Sequence, residues 1–241
     1  MDFQMLCEST KTTMPTATVL NVSISDETAM IKARRFMDNL KSYSDLGNWA
    51  ATSQRLGLNG QGTPKKAWET ILRFKKTRKD SLVYCTDKTG NMAAASDPRK
   101  VSYVHVVNLL ASGPAGLADD GSIMEYGLWL ANLTFTRSRV LRPRHGDSQP
   151  DVASLLEITM HSLQRIFQRG YGLTEDGELD YMHFTRLTVW LWQECVERYK
   201  GLSGSVDRIT ISTAEAQFVV SRAGSDPMSP MTLITVLPTR N

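Results

Sequence analysis

Seven cationic side chains fall within fifteen consecutive positions of the sequence, where Glu69 is the one opposing charge. They are Lys65, Lys66, Arg73, Lys75, Lys76, Arg78 and Lys79. Unpaired cations attract phosphate-rich polymers by releasing condensed counterions, and their charge also attracts anionic lipid headgroups. The stretch therefore predicts a polyanion-binding surface, with an ordinary solvated helix face as the alternative.

A second basic group follows later in the chain and consists of Arg137, Arg139, Arg142 and Arg144. Because side chains alternate along a strand, Arg137 and Arg139 share one face, and there they would extend the first surface. The end of the first group, Lys75, Lys76, Arg78 and Lys79, also matches a short nuclear-import pattern. The sequence leaves open whether the two groups meet in space.

Other patterns of chemical interest are incomplete. Gly57 and Gly62 have P-loop spacing, but Thr63-Pro64 stands where the phosphate-binding loop requires Lys-Ser or Lys-Thr. The acidic stretch from Glu175 to Asp180 lacks the ligand spacing of a calcium loop, and we expect it to cap the helix that follows. The four histidines form no zinc or catalytic pattern, and we expect structural roles for them: His105, His145, His161 and His183.

Three cysteines, Cys7, Cys85 and Cys195, stand far apart and form no C-x-x-C pair. This spacing argues against a disulfide framework or a zinc site and favours an intracellular, reducing compartment. Cys195 occupies a core-facing helical position, where a thiol is usually inert. We therefore expect no metal, no cofactor and no enzymatic activity.

The elements that must position these residues follow from apolar periodicity. Helices are predicted from Ser25 or Asp26 to about Leu40, from Ser44-Asp45 to about Leu56, from Thr63-Pro64 onward, from Val152 to Gly170, and from about Phe184 to Gly201. Strands are predicted over Thr18–Ile24, Ser81–Thr86, Val101–Leu110, Ile123–Leu141 (or a hairpin), Arg208–Thr213, Gln217–Arg222 and Met231–Leu237. In the Thr63-Pro64 helix, Trp68, Ile71 and Leu72 form the buried face, and most of the cations face water.

Helices and strands come in blocks rather than in strict alternation, which favours an α+β fold. We expect one compact domain over residues 17–241, with a mixed or antiparallel sheet, four to five helices and a possible sub-boundary near 143–150. Residues 1–16 are polar and are expected to form a flexible N-terminal arm. The N-terminus lacks an apolar leader, and no apolar run approaches the ~18 residues of a membrane span.

The stretch from residue 18 to about 79 resembles part of a rhabdovirus matrix protein, over about a quarter of the chain. The resemblance lies in a short strand, Ser42-Tyr43-Ser44-Asp45 opening a helix with Trp49, a glycine-rich loop, and a second helix with an apolar face. The basic segment and the nuclear-import pattern suit the plant-infecting viruses that assemble at the nucleus. The resemblance implies a virion protein of the host nucleus or cytoplasm that self-associates, binds nucleocapsid and contacts acidic membrane.

Three functional hypotheses follow. The first is a non-enzymatic, matrix-like viral structural protein that forms homo-oligomers and bridges nucleocapsid or RNA to an anionic membrane through its basic surface. The second is a nucleic-acid-binding accessory protein, such as a silencing suppressor or a movement factor. The third is an enzyme whose active site is assembled by folding from residues far apart in the sequence. Such a site would contain a histidine or cysteine beside a carboxylate in a deep pocket.

Overall fold

The computed structural model describes residues 13–18, 24–41, 68–69, 72, 82–111, 127–138, 151–200, 202, 207–222 and 231–239. Within these ranges three helices and seven strands form a mixed α+β protein, so the predicted class is confirmed while the helices are fewer than the four to five predicted. In chain order the elements are α1 (Asp26–Lys41), β1 (Leu82–Thr86), β2 (Tyr103–Ala111), β3 (Gly127–Thr136), β4 (Asp151–Thr159), α2 (Met160–Gln168), α3 (Tyr181–Lys200), β5 (Arg208–Ser212), β6 (Ala216–Arg222) and β7 (Met231–Pro238).

The seven strands form one sheet in the order β1-β2-β3-β4-β7-β6-β5. The pairs β1–β2, β5–β6 and β6–β7 are antiparallel, whereas β4 runs parallel to β7 with Leu156 opposite Met231. The sheet is therefore mixed, as the sequence analysis allowed.

The chain groups into two compact units, each assembled from three separate segments. Unit 1 comprises residues 1–10, 44–108 and 131–153, and unit 2 comprises residues 11–43, 109–130 and 154–241. The single domain and the N-terminal arm stay predictions, because neither is tested by this grouping.

In unit 1, one face of the sheet is apolar. Alternate residues of β1, β2 and β3, among them Cys85, Val104 and Phe135, pack into one buried cluster. Trp68 joins this cluster, and the partly buried Leu72 packs against it. Trp68, Glu69 and Leu72 are helical, which agrees with the predicted helix after Thr63-Pro64, and Ile71 lies outside the described residues.

In unit 2, the core contains a group of rings in which Phe36 of α1 is central. Its centroid lies 5.7 Å from that of Phe167, 4.6 Å from that of Tyr181 and 4.9 Å from that of Phe184. Aromatic pairs in stacked or edge-to-face geometry stabilise a core beyond the area they bury. The rings therefore hold α1 against α2 and α3.

Thr18 of the N-terminal segment lies against the turn that follows α2. The Thr18 amide donates to the Gly170 carbonyl at 3.0 Å, and the Thr18 hydroxyl donates to the Leu173 carbonyl at 2.7 Å. Glu215 accepts hydrogen bonds at one carboxylate oxygen from the Ala17 amide and the Tyr171 hydroxyl. Burial raises the pKa of the fully buried Tyr171 to about 12, so its phenol keeps the proton that it donates.

The helix predicted from Val152 to Gly170 is wrong in its first half. Residues Asp151–Thr159 form strand β4, and the helix begins only at Met160. Leu155, Leu156 and Ile158 are all buried, so β4 is covered on both faces. A strand covered on both faces is apolar at consecutive positions, and this pattern can be mistaken for the apolar stripe of a helix. Thr159 has extended backbone angles, and its hydroxyl accepts from the Ser162 amide at 3.2 Å, which caps α2.

Several other predictions are confirmed. Ser25 caps α1 by accepting from the Thr28 amide at 3.2 Å, and Asp180 caps α3 by accepting from the His183 amide at 2.9 Å. Helix α3 buries Cys195, as its core-facing position predicted. The strands β1, β2, β5, β6 and β7 lie within about two residues of their predicted bounds. Strand β3 lies within the stretch predicted as strand or hairpin, but it ends at Thr136. Arg137 and Ser138 are helical, so the strand prediction is wrong at these two residues and strand alternation does not place Arg137 on one face with Arg139.

Two predicted elements lie largely outside the described residues. Of the strand predicted over Thr18–Ile24, the two end residues are described and neither is in a strand. The helix predicted from Ser44 to Leu56 cannot be compared at all, because none of its residues is described. None of the helices described is long and apolar enough to cross a membrane.

Candidate functional site

Arg137 is the one predicted polyanion-binding residue that the structure describes. It directly follows β3, and its backbone amide donates to the Ser102 carbonyl at 2.8 Å. Its Nε is buried and has no hydrogen-bond partner in the described part of the chain. The other predicted residues lie outside the described ranges: Lys65, Lys66, Arg73, Lys75, Lys76, Arg78, Lys79, Arg139, Arg142 and Arg144.

The first basic group is attached to unit 1 through Trp68. The indole Nε1 donates to the Ala95 carbonyl at 2.8 Å, and the ring is 6% exposed. Ala95 and Ser102, the residue that holds Arg137, belong to the same connection between β1 and β2. Both basic groups therefore have an anchor on one connection of one unit.

The same hydrogen bonds align the ends of three strands. The Ser102 amide donates to the Thr86 carbonyl at 2.8 Å, and the Ser102 carbonyl accepts from Arg137. The end of β1, the start of β2 and the end of β3 therefore lie side by side. Besides the partly buried Arg137, three exposed cations stand within three sequence positions of this row, namely Lys88, Arg99 and Lys100. We call Lys88, Arg99, Lys100 and Arg137 the basic sheet end.

Two carboxylates near the basic sheet end are bound within their own turns. Asp87 accepts from the Thr89 hydroxyl at 2.7 Å, from the Thr89 amide at 2.8 Å and from the Asn91 amide at 3.0 Å. The hydrogen bond from the Thr89 side chain is the main cause that lowers the pKa of Asp87. Asp97 lies 3.6 Å from Lys100, in an exposed pair of the kind that contributes little to stability. Within the described residues, no carboxylate lies in ion-pair distance of Lys88, Arg99 or Arg137.

Sequence reasoning missed Lys88, Arg99 and Lys100 because they are scattered in a turn region. The antiparallel pairing of β1 with β2 would have indicated them, because the connection between two antiparallel neighbours begins and ends at the same end of the sheet.

The other face of the same strands carries a buried polar cluster around His105. Its Nε2 lies 2.9 Å from the Thr86 hydroxyl, and its Nδ1 lies 3.1 Å from the Thr134 hydroxyl. Tyr84 stacks on the imidazole with ring centroids 4.4 Å apart and an interplanar angle of 5°. Burial lowers the pKa of His105 to about 4, so the ring is neutral near pH 7.

Asn132 completes this cluster. Its Nδ2 donates to the Tyr84 hydroxyl at 3.2 Å and lies 3.4 Å from the His105 Nδ1, whereas its buried Oδ1 has no partner among the described residues. An amide that donates to Nδ1 requires the proton of the neutral ring to be on Nε2, which then donates to Thr86. The signal missed in the sequence is the alternation of polar residues with apolar ones in β1, β2 and β3.

The remaining candidate groups are distributed singly. Cys85 and Cys195 are free and buried, and burial raises the pKa of the Cys195 thiol far above its ordinary value. Burial also lowers the pKa of the half-buried His183, whose Nε2 has no partner in the described part. His161 is exposed, and His145 and Cys7 lie outside the described ranges. Across those ranges, no three acidic, histidine or cysteine side chains are grouped as metal ligands would be.

Comparison of the chain with protein-family models, with curated proteins and with solved structures finds no match.

Proposed function

We propose that this chain is a non-enzymatic, matrix-like structural protein that binds polyanions through the basic surface of unit 1. The observation that supports the proposal is the shared anchoring of the two basic groups. Trp68 bonds to Ala95 and Arg137 bonds to Ser102, on a single connection between neighbouring strands. Cations that lie close together attract a polyanion more strongly than dispersed charges do, so shared anchoring supports a common basic surface.

The helix predicted after Thr63-Pro64, combined with the described Trp68 and Leu72, predicts which cations of the first group would face outward. Trp68 and Leu72 are four residues apart and pack on the same cluster, so they define the inward side of their helix. If the helix continues through residue 79, Lys66 and Arg73 lie about 120–140° around the axis from that side. On the same predicted helix, Lys75 and Lys79 would continue the inward stripe and would reach water only by extending their aliphatic stems along the surface.

The resemblance to plant-infecting rhabdovirus matrix proteins supplies the biological setting of the proposal. It implies homo-oligomers, attachment to nucleocapsid or RNA, peripheral contact with an anionic membrane, and a passage through the host nucleus directed by Lys75, Lys76, Arg78 and Lys79. A nucleic-acid-binding accessory protein shares the charge argument but needs neither oligomers nor membrane affinity.

The test compares two charge-reversal variants with equal changes in net charge. Lys66→Glu/Arg73→Glu alters the basic helix, and Arg34→Glu/Arg35→Glu alters two exposed arginines of α1 in unit 2. Each variant is assayed by flotation with phosphatidylserine-containing vesicles and by gel shift with RNA. We expect the first variant to lose on the order of tenfold or more in binding, because each basic residue near an anionic surface contributes about 1 kcal/mol.

The control variant is expected to bind as the wild type does. Equal losses in both variants would show that only net charge matters and would overturn the assignment to unit 1. Binding of RNA by a monomer that never floats with vesicles would favour the accessory protein.

A further inference from the structure

The basic sheet end lies next to an aromatic ring at the margin of the polar cluster. Tyr103 is the first residue of β2 and pairs in register with Thr86, so its ring stands at the row that contains Ser102 and Arg137. The ring is half-buried, its centroid lies 6.4 Å from that of His105, and its phenol makes no hydrogen bond within the described residues. An aromatic ring beside exposed cations is the combination that single-stranded nucleic acids bind, because bases stack while phosphates pair with cations.

From this juxtaposition we propose that single-stranded RNA binds across the basic sheet end of unit 1. Its phosphates contact Lys88, Arg99, Lys100 and Arg137, and one base stacks on Tyr103. This inference rests on the proposed polyanion-binding function and selects single-stranded RNA among the polyanions that the function allows. It adds four residues that the sequence patterns did not indicate, namely Lys88, Arg99, Lys100 and Tyr103.

The charge balance at the basic sheet end favours an anionic ligand. The basic sheet end contains four cations, and the nearby carboxylates are Asp87 and Asp97. Asp87 already accepts hydrogen bonds from three donors of its own turn. Polar groups at the same end, including the side chains of Thr89, Asn91 and Ser102, suit contacts with phosphate and sugar.

The distribution of apolar side chains favours RNA over a lipid surface. Peripheral proteins hold a bilayer by inserting exposed apolar residues into the boundary between headgroups and acyl chains. The large apolar side chains that are exposed among the described residues are Ile31, Trp129, Met182, Leu202 and Leu237. All five belong to unit 2, so the described part of unit 1 offers no such anchor beside the basic sheet end.

The first experiment measures how salt weakens binding of the full chain to a fluorescent oligouridine of about 20 nucleotides. Lys88→Gln/Arg99→Gln/Lys100→Gln removes three phosphate contacts, and each contact to a single strand contributes about 0.7 to the slope of log K against log salt. We expect the slope to become about two smaller in magnitude. The matched variant Arg34→Gln/Arg35→Gln/Arg186→Gln, made at exposed positions of unit 2, is expected to keep the wild-type slope.

The second experiment separates stacking from charge. Tyr103→Leu is expected to weaken RNA binding by about 5- to 150-fold, which corresponds to one lost base stack, while Tyr103→Phe keeps the affinity. Urea unfolding of both variants reports whether the fold is retained. If Tyr103→Leu is unstable, the salt slope of the triple glutamine variant decides the question alone.

The outcomes distinguish the inference from the function on which it rests. RNA binding that is unchanged in the triple variant, or a wild type that binds vesicles but not RNA, overturns the inference and leaves the polyanion-binding function in place. Equal loss of vesicle binding and RNA binding in the triple variant would show that the surface binds polyanions without preference for RNA, which overturns the choice of RNA as the partner. A wild type that binds neither ligand overturns both proposals.

Discussion

At the scale of single residues, His105 shows how a sheet can bury a titratable group at low cost. Each ring nitrogen has a hydroxyl partner, and Tyr84 covers one face of the ring. A buried polar group with its hydrogen bonds made loses little on folding, but a charged imidazole at the same place would lose its hydration. The cluster therefore accepts the neutral ring and disfavours the imidazolium.

The depressed pKa of His105 predicts a stability that depends on pH. Its value in the folded protein is about 4, below the ordinary 6.5, so between these values the unfolded state binds more protons. The free energy of unfolding should therefore fall as the pH drops from about 6.5 to about 4, by up to about 3 kcal/mol from this residue. His183, whose pKa is also lowered, acts in the same direction.

The measurement is urea unfolding at about pH 7 and about pH 5. His105→Gln should reduce the difference between the two conditions, whatever its effect on stability at neutral pH. The control His161→Gln removes an exposed imidazole and shows whether the effect belongs to the buried ring. An unchanged pH dependence in His105→Gln would contradict this account of the cluster.

At the scale of elements, helices and strands were predicted best from the sequence where one face of the element is buried and the other is exposed. Helix α1 buries Ala33, Phe36 and Met37 and exposes the opposite side, so its period is evident in the sequence. The strand β5 alternates between exposed and buried residues for the same reason. Strand β4 was mistaken for a helix because it carries apolar residues on both faces and pairs with β7, about 75 residues later.

The candidate site was less predictable than the elements. A basic group is visible in a sequence, but the basic sheet end depends on the pairing of Thr86 with Ser102 and of Ser102 with Arg137. The His105 cluster likewise joins β1, β2 and β3, and no single segment contains enough of it to be noticed. Long-range backbone pairing created both groupings, and residue types alone do not specify it.

The contact of Thr18 with the turn after α2 makes a prediction about Gly170. This glycine has a φ of +78°, and a Cβ added to it would lie 2.3 Å from the Thr18 carbonyl oxygen. Gly170→Ala should therefore cost the left-handed strain of about 1–2 kcal/mol and also displace Thr18. Hydrogen exchange at the Thr18 amide, which bonds to Gly170, reports the displacement directly.

Gly177→Ala is the matched control for this prediction. Its φ is also +78°, but the nearest atom to its added Cβ is a methyl carbon of Ile24 at an ordinary 3.9 Å. The strain is therefore shared, and the difference between the two variants measures the contact with Thr18. Equal destabilisation, with the Thr18 amide still protected in Gly170→Ala, would show that the segment does not depend on this approach.

At the scale of the whole molecule, the two units differ in the surfaces that their described residues present. Unit 1 carries the basic sheet end and the anchors of both basic groups, whereas unit 2 carries the exposed large apolar side chains. Charged surfaces bind polyanions in a salt-dependent way, so the described residues of unit 1 supply the surface on which the proposed function rests.

The most direct test of the central claim is the salt dependence of RNA binding by the wild-type chain. Affinity is measured between about 50 mM and about 0.5 M NaCl with an oligouridine. At least four phosphate contacts predict a straight line of log K against log salt with a slope of about −3 or steeper. Binding that is equally strong across this range, or absent even at the lowest salt, would contradict the claim that unit 1 holds RNA by its cations.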